Sequence, residues 1–279
     1  MAPVFLKGKP TCRRSENMRI IDFHTHIYPD PIAQKGSRSI CEFYDLQSDL
    51  IGSAQALLEE GKRVGIEKYV LLPVSIKPEH VRHINQFTAD EMNRHAEFIG
   101  FGTLHPAMEH LVEEIDAIER LGLQGIKIHP DTQQFPIDDD RMDPVYDALQ
   151  GRLPILIHCG DPRYDYSRPE RLKRVLRKFP GLTVIAAHLG GWSLFETAFD
   201  CLKEETCFLD ISSCMRFMPA EQMKKYISGY GADRLVFGSD FPLWSPAEEF
   251  QSFQKLGLPP EEQEKIAYRN ALRILGQEN

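Results

Sequence analysis

No apolar run in the 279-residue chain approaches the eighteen residues that a membrane-spanning helix needs. An excess of positive charge is missing too: 33 basic residues stand against 41 acidic ones, a net charge of −8, and no basic face is visible. Nucleic acid and anionic membranes are therefore poor partners. The six cysteines, Cys12, Cys41, Cys159, Cys201, Cys207 and Cys214, form no C-x-x-C and no repeating spacing, which excludes a disulfide scaffold. No glycine-rich phosphate loop follows the first apolar run, so a dinucleotide-binding open sheet is disfavoured. No Pro/Ser-rich linker or change of composition divides the chain. The early apolar stretch Ala2 to Leu6 precedes Lys7, Lys9, Arg13 and Arg14, the reverse of a signal peptide's order. The expectation is a cytoplasmic protein with a disordered tail over residues 1–18 and one domain over residues 19–279.

What is present is alternation. Short β-branched or apolar runs occur at 19–25, 68–73, 98–103, 124–129, 154–158, 182–187, 206–211 and 234–238. Amphipathic stretches of helical period lie between them. Ser48 is expected to cap a helix presenting Leu50, Ala54, Leu57, Leu58 and Gly61 on one face, with Gly65 ending it. Pro169 suits the first turn of another, where Leu172, Val175, Leu176 and Phe179 share a face. Further helices are expected over 78–95, 109–121, 141–151, 193–204, 219–228 and 261–275. Eight strand–helix units in about 260 residues predict an α/β fold, a single (β/α)8 TIM barrel with its site at the strand C-termini.

Five of the ten histidines fall at strand ends: His24 and His26 on the first run, then His129, His158 and His188. Asp240 closes the eighth. Strand C-termini gather at one mouth of a barrel, so distance along the chain is no obstacle to their meeting. Side chains two apart share a strand face, which turns His24 and His26 to the same side and Phe23 and Thr25 toward the helices. Two such imidazoles, a third nitrogen from His158 and a carboxylate oxygen from Asp240 suit one catalytic divalent ion, zinc first and manganese second. His80, His83, His95 and His110 read as surface polar residues, and His105 as a candidate for the mouth.

These residues resemble the amidohydrolase superfamily. The segments Asp22-Phe23-His24-Thr25-His26, Gly125-Ile126-Lys127-Ile128-His129-Pro130, Ala187-His188-Leu189-Gly190-Gly191 and Phe237-Gly238-Ser239-Asp240-Phe241-Pro242 are similar to the amidohydrolase-related branch that includes aminocarboxymuconate-semialdehyde decarboxylase. The resemblance spans residues 19 to 275. It implies that His24, His26, His158 and Asp240 are the metal ligands, and that His188 orients or deprotonates a metal-activated water, with Asp240 able to shuttle the proton. In two-metal relatives a lysine like Lys127 is carboxylated and bridges the ions. One ion is usual in this branch, so an unmodified Lys127 is expected.

The function implied is a metal-dependent hydrolase acting on a small, carboxylated substrate. The alternative is a non-oxidative decarboxylase or hydratase, a carbon lyase on the same ligands. A third reading, a barrel holding a metal without turnover, needs neither His188 nor an open position on the ion. Candidate substrate contacts are Lys127, His129, Arg163, Arg216 and Trp192, since arginine forks bind carboxylates bidentately. Arg168 flanks a helix start, and Trp244, Tyr28 and Tyr44 are further candidates for the mouth. The expected partners are a small-molecule substrate and a second copy in a homodimer.

Overall fold

The strands form where β-branched and apolar residues cluster between turn signals, and all pair in parallel, as helical crossovers require. A computed structural model describes residues 18–278; the expected tail over residues 1–18 lies, but for Met18, outside the described residues. In chain order the strands are β1 (Ile21–Thr25), β2 (Lys68–Leu71), β3 (Phe98–Gly100), β4 (Gly102–Thr103), β5 (Ile126–Ile128), β6 (Ile155–Ile157), β7 (Val184–Ala186), β8 (Phe208–Asp210) and β9 (Leu235–Val236). They run in two sheets, β1-β2-β3 and β4 through β9. β3 and β4 are halves of one barrel strand broken at Phe101, whose N–H donates to the Leu71 carbonyl at 3.0 Å, while the Gly102 N–H donates to Gly125 at 2.8 Å.

The other seam closes just beyond β9. The Phe23 N–H donates to the Phe237 carbonyl, the His26 N–H to Phe241 and the Asp240 N–H to His24, each at 2.8 Å, and Thr25 bridges Phe241 in parallel. Eight staves result, as the alternation predicts.

Two apolar shells hold the barrel. Alternate strand residues such as Tyr69, Leu71, Ile126, Ile128, Ile155, Ile157, Val184 and Ala186 pack outward on the helices. A smaller cluster of Ile21, Phe23, Val70, Leu72, Ile99, Phe101, Leu156 and Ile185 fills the interior, together with Tyr268, Ala271 and Ile274 from the C-terminal helix.

The expected outward orientation of Phe23 is corrected by a bulge. Ile21 pairs with Lys68 and Asp22 with Tyr69, but Thr25 pairs with Leu71, so Phe23 and His24 together oppose one residue of β2. Phe23 therefore turns inward and meets Phe101 edge-on at 5.8 Å. The extra residue re-phases the strand, and His24 and His26 beyond it still face the mouth. The Thr25 hydroxyl donates to the Val70 carbonyl.

The helices depart most from expectation at three points. The helix expected from Ser48 spans Ala54–Lys62 and is capped by Ser53, whose hydroxyl accepts from the Ala56 N–H. Ser48 instead donates to the Pro242 carbonyl. Two helices without counterparts in the sequence reading are Asp30–Tyr44 and Pro246–Lys255. The Pro169–Lys178 helix buries Leu172, Val175 and Leu176 as its period predicts.

Candidate active site

The strand ends bring His24, His26, Lys127, His129, His158, His188 and Asp240 around one cavity of about 860 Å³. Asp240, His188 and Ser213 sit in the left-handed backbone region, at φ 65°, 56° and 54°. Non-glycine residues hold that conformation only where surrounding structure enforces it, and such positions cluster at functional sites.

Three ligand atoms converge at the centre. His24 Nε2 lies 3.2 Å from His26 Nε2, and both face Asp240 Oδ1, at 3.6 and 3.4 Å. The opposite nitrogens are already committed: His24 Nδ1 to Asp210 Oδ2 at 2.8 Å and His26 Nδ1 to the Leu72 carbonyl at 2.6 Å. Both partners only accept, so each Nδ1 carries the ring proton and, in neutral rings, the two Nε2 atoms present lone pairs. Burial, with the charge of Lys127, pushes His24 down to about 3, so this ring is neutral at pH 7. Two lone pairs and a carboxylate oxygen pointed at one another repel; a cation among them turns the repulsion into coordination. The donor set, two imidazole nitrogens oriented by outer hydrogen bonds and one carboxylate, fits a divalent transition ion.

A second pair repeats the pattern. His158 Nδ1 meets His188 Nε2 at 3.1 Å. The outer nitrogens face carbonyls, His158 Nε2 toward Gly160 at 3.0 Å and His188 Nδ1 toward Ser212 at 3.1 Å. With each outer nitrogen facing an acceptor, the two rings turn their remaining nitrogens toward each other, a seat for a proton or a cation.

Of the four expected ligands, His24, His26 and Asp240 form one group of ligand atoms, whereas His158 belongs to another. It stacks on His129 with ring centroids 3.8 Å apart, and its Nε2 groups with His129 and Asp131. His188 stacks against His24 at 5.0 Å and groups with it and Asp210.

Lys127 is fully buried with its Nζ 3.4 Å from His24 Nε2. Burial pushes it down to about 8, against the pull of Asp210 and Asp240. Asp240 is also buried, which would raise it, but His24 and its neighbouring imidazoles outweigh that and hold it well below the carboxylate range. Its Oδ2 accepts from Ser213 at 2.5 Å, and the Trp244 indole N–H donates to the same serine oxygen at 2.8 Å.

Asp210, at the end of β8, is a site residue that the sequence does not reveal. It is fully buried, and its Oδ1 accepts from the His188 N–H, the Ser212 N–H and the Ser212 hydroxyl while Oδ2 holds His24. The available signal is its inward position closing the seventh run. Tyr44, on the unforeseen Asp30–Tyr44 helix, places its hydroxyl 2.7 Å from His129 Nε2. Tyr28 also lines the cavity.

The arginines are placed elsewhere. Arg163 is paired bidentately with Asp161 and lies over Phe43, and Arg216 is paired with Glu248 and Glu249 and lies over Trp244. Neither lines the cavity. Trp192 packs edge-on against Tyr44 and borders a separate hollow of about 10 Å³. Arg168 precedes its helix, and the nearly buried His105 caps its own loop by accepting from the Ala107 N–H. His80 and His83, expected on the general surface, are exposed but reach the cavity wall, because Pro78–His80 and the following helix pass beside the mouth.

Known proteins can be set beside this geometry. An uncharacterized TIM-barrel protein from Bordetella bronchiseptica superposes with a TM-score of 0.78 at 22% identity, over 93% of this chain and 99% of that one. A dihydroxybenzoic acid decarboxylase from Polaromonas, solved with manganese and 2-nitroresorcinol, gives 0.72 at 17% over 92% and 97%. A Pseudomonas putida protein assigned as a 2-pyrone-4,6-dicarboxylic acid hydrolase gives 0.68 at 16% over 95% and 100%. No protein of curated function matches the chain in sequence. The family model described as Amidohydrolase matches residues 21–277. Nearly the whole barrel, with every strand-end histidine and Asp240, falls inside that match, and the chain belongs to the amidohydrolase family.

Proposed function

We propose that the protein is a metal-dependent hydrolase that adds water to an ester, lactone or amide carbon. The observation that carries this reading is the hollow of about 10 Å³ lined by Tyr44, His158, His188, Ser213 and Asp240. It has room for about one water, and it shares Tyr44, His158, His188 and Asp240 with the large cavity. A water there has two proton acceptors beside it. His24, His26 and Asp240 would hold one divalent ion, zinc or manganese, with His158 as fourth ligand through the nitrogen now facing His188. When bound, such an ion supplies Lewis acidity and lowers the pKa of water toward 7.

The chain's own residues do the rest. His188, its Nδ1 proton tied to the Ser212 carbonyl, takes the water's proton at Nε2. That proton then passes to the leaving oxygen or nitrogen as the scissile bond breaks. Ser213, itself held by Trp244, fixes the Asp240 carboxylate so that one oxygen stays turned to His24 and His26. Lys127 remains an unmodified ammonium and seats negative charge at the cavity floor.

That ammonium also favours a second reading, a carboxy-lyase, because a cation at the floor would anchor the carboxylate that leaves. Turnover of a panel of lactones, esters and carboxylated aromatics in H₂¹⁸O and in D₂O separates the two. Hydrolysis places ¹⁸O in the new carboxylate; decarboxylation releases CO₂ and places solvent deuterium on carbon. Metal-loaded protein that does neither sinks both readings.

No helix among the described residues is long and apolar enough to cross a membrane. The five described cysteines are free thiols, which supports placing the enzyme in the reducing cytoplasm. A homodimer stays part of the proposal.

A further inference from the structure

The cavity is chemically two-ended. Its floor carries the polar groups: His24, Lys127, His158, His188 and Asp240 are all nearly or fully buried. Its wall and rim are apolar, built by Ile32, Ile40, Val74, Ile76, Ile84 and Phe87. Ile32 is 50% exposed and Ile76 62%. These are two of the four large hydrophobic side chains exposed among the described residues, and both stand at this one mouth. Apolar exposure gathered at an opening marks a binding surface rather than scatter.

Charge is as unevenly placed. Among the described residues, Lys127 is the only lysine or arginine lining the cavity. Arg163 and Arg216, the forks suited to a second carboxylate, are already paired, with Asp161 and with Glu248 and Glu249. The polar groups along the outer wall are neutral or imidazole: the hydroxyls of Ser39, Thr132, Tyr164 and Tyr166, the exposed Gln134 amide and the exposed imidazoles of His80 and His83. A carboxylate held among the isoleucines would lose water and gain no paired cation. Size points the same way. A cavity of about 150 Å³ is enough for benzene, and this one holds about 860 Å³.

We infer that the substrate is an amphiphile, with one anionic or carbonyl-bearing head at the buried floor and an extended apolar body running out between Ile40, Val74 and Phe87 to the rim at Ile32 and Ile76. The inference rests on the hydrolytic reading for its polar end and extends the expected small, carboxylated substrate to one with a single polar head and an apolar tail.

Binding tests it without requiring turnover. Straight-chain monocarboxylates of four to twelve carbons, and α,ω-dicarboxylates of equal lengths, are titrated calorimetrically into the metal-loaded full-length protein. Each methylene that enters the cavity should tighten Kd about fourfold, the equivalent of about 0.8 kcal/mol. The dicarboxylate of matching length should bind at least about a hundredfold more weakly. Ile76→Asp, at a position exposed enough for the fold to tolerate it, should abolish the gain for the longest tails. Equal or tighter dicarboxylate binding, or a Kd independent of length, overturns the inference. Failure of the hydrolytic reading is distinguishable: the isotope panel then places no ¹⁸O in a new carboxylate while the length series still holds.

Discussion

Replacing Asp210 by Asn should disable the metal site without touching a metal ligand. The carboxylate is buried between two tasks. Oδ1 accepts from the His188 N–H at 3.1 Å, the Ser212 N–H at 3.0 Å and the Ser212 hydroxyl at 2.5 Å. Oδ2 accepts the His24 Nδ1 proton at 2.8 Å. An amide has one acceptor oxygen and one donor nitrogen, and must choose. Turning its NH₂ toward Oδ1's place would strand two backbone N–H donors, at about 1–3 kcal/mol each. The oxygen therefore stays with Ser212, and the NH₂ faces His24 Nδ1. That nitrogen must now accept, so the imidazole proton moves to Nε2, the atom directed at His26 and Asp240. A ring protonated there offers no lone pair. Loss of such a supporting partner costs about 10–100-fold in metal affinity, or about 1.4–2.7 kcal/mol at 1.36 kcal/mol per decade. The assay is competition for zinc or manganese against a chelating dye, with circular dichroism to confirm that the barrel is intact. A folded Asp210→Asn protein whose metal affinity stays within threefold of wild type would refute the tautomer argument.

Three further outcomes are expected. His188→Ala should retain its metal and lose about a hundredfold or more in turnover on any substrate found, the scale of general acid–base help; loss of the metal would make His188 a ligand. Burial raises Glu249 to about 7 from 4.5, though Arg216 opposes the rise. The folded protein thus holds more protons than the unfolded chain between those values, and stability should fall as pH rises through that window. Glu249→Gln should flatten the fall, which amounts to at most about 3 kcal/mol, as read from urea midpoints at pH 5 and pH 8; an unchanged slope contradicts the assignment. Gly160 has φ +83°, and a Cβ there would lie 2.3 Å from the Trp192 backbone nitrogen. Gly160→Ala should cost about 2–4 kcal/mol by denaturant titration, the left-handed penalty plus overpacking against main chain; a cost below about 1 kcal/mol would show that the loop yields.

The barrel is legible in the sequence because its strands are short apolar runs at regular spacing, and the strand-end imidazoles are legible because they interrupt those runs at one end. Three features are not. The bulge at Phe23 and His24 leaves no mark, since a strand with one extra residue reads like any other. The Asp30–Tyr44 helix buries Ala33, Ser37 and Cys41, a helical stripe of small residues in place of the leucines and isoleucines that periodicity detects. The Pro246–Lys255 helix hides behind Pro242 and Pro246, which read as loop punctuation, although Ser245 caps it and Pro246 occupies its first turn. The arginines show a different limit: residue type announces a carboxylate fork, while its partner is fixed only by folding. Asp161, two residues before Arg163, is nonetheless a local hint. Asp210 escaped for the same reason: its place at the end of the seventh run is a signal, but its partner His24 is fixed only by folding.

Metal content bears most directly on the central claim, that lone pairs of His24 and His26 converge with Asp240 to hold one catalytic divalent ion. Elemental analysis of the purified wild type and of the His24→Ala, His26→Ala, His158→Ala triple variant, alongside activity before and after chelation, is the decisive measurement. The expected result is about one zinc or manganese per wild-type chain, little in the variant, and activity lost on chelation, restored by the metal and indifferent to bicarbonate. A triple variant as metal-rich as wild type, or two ions per chain with bicarbonate-dependent activity, would contradict it.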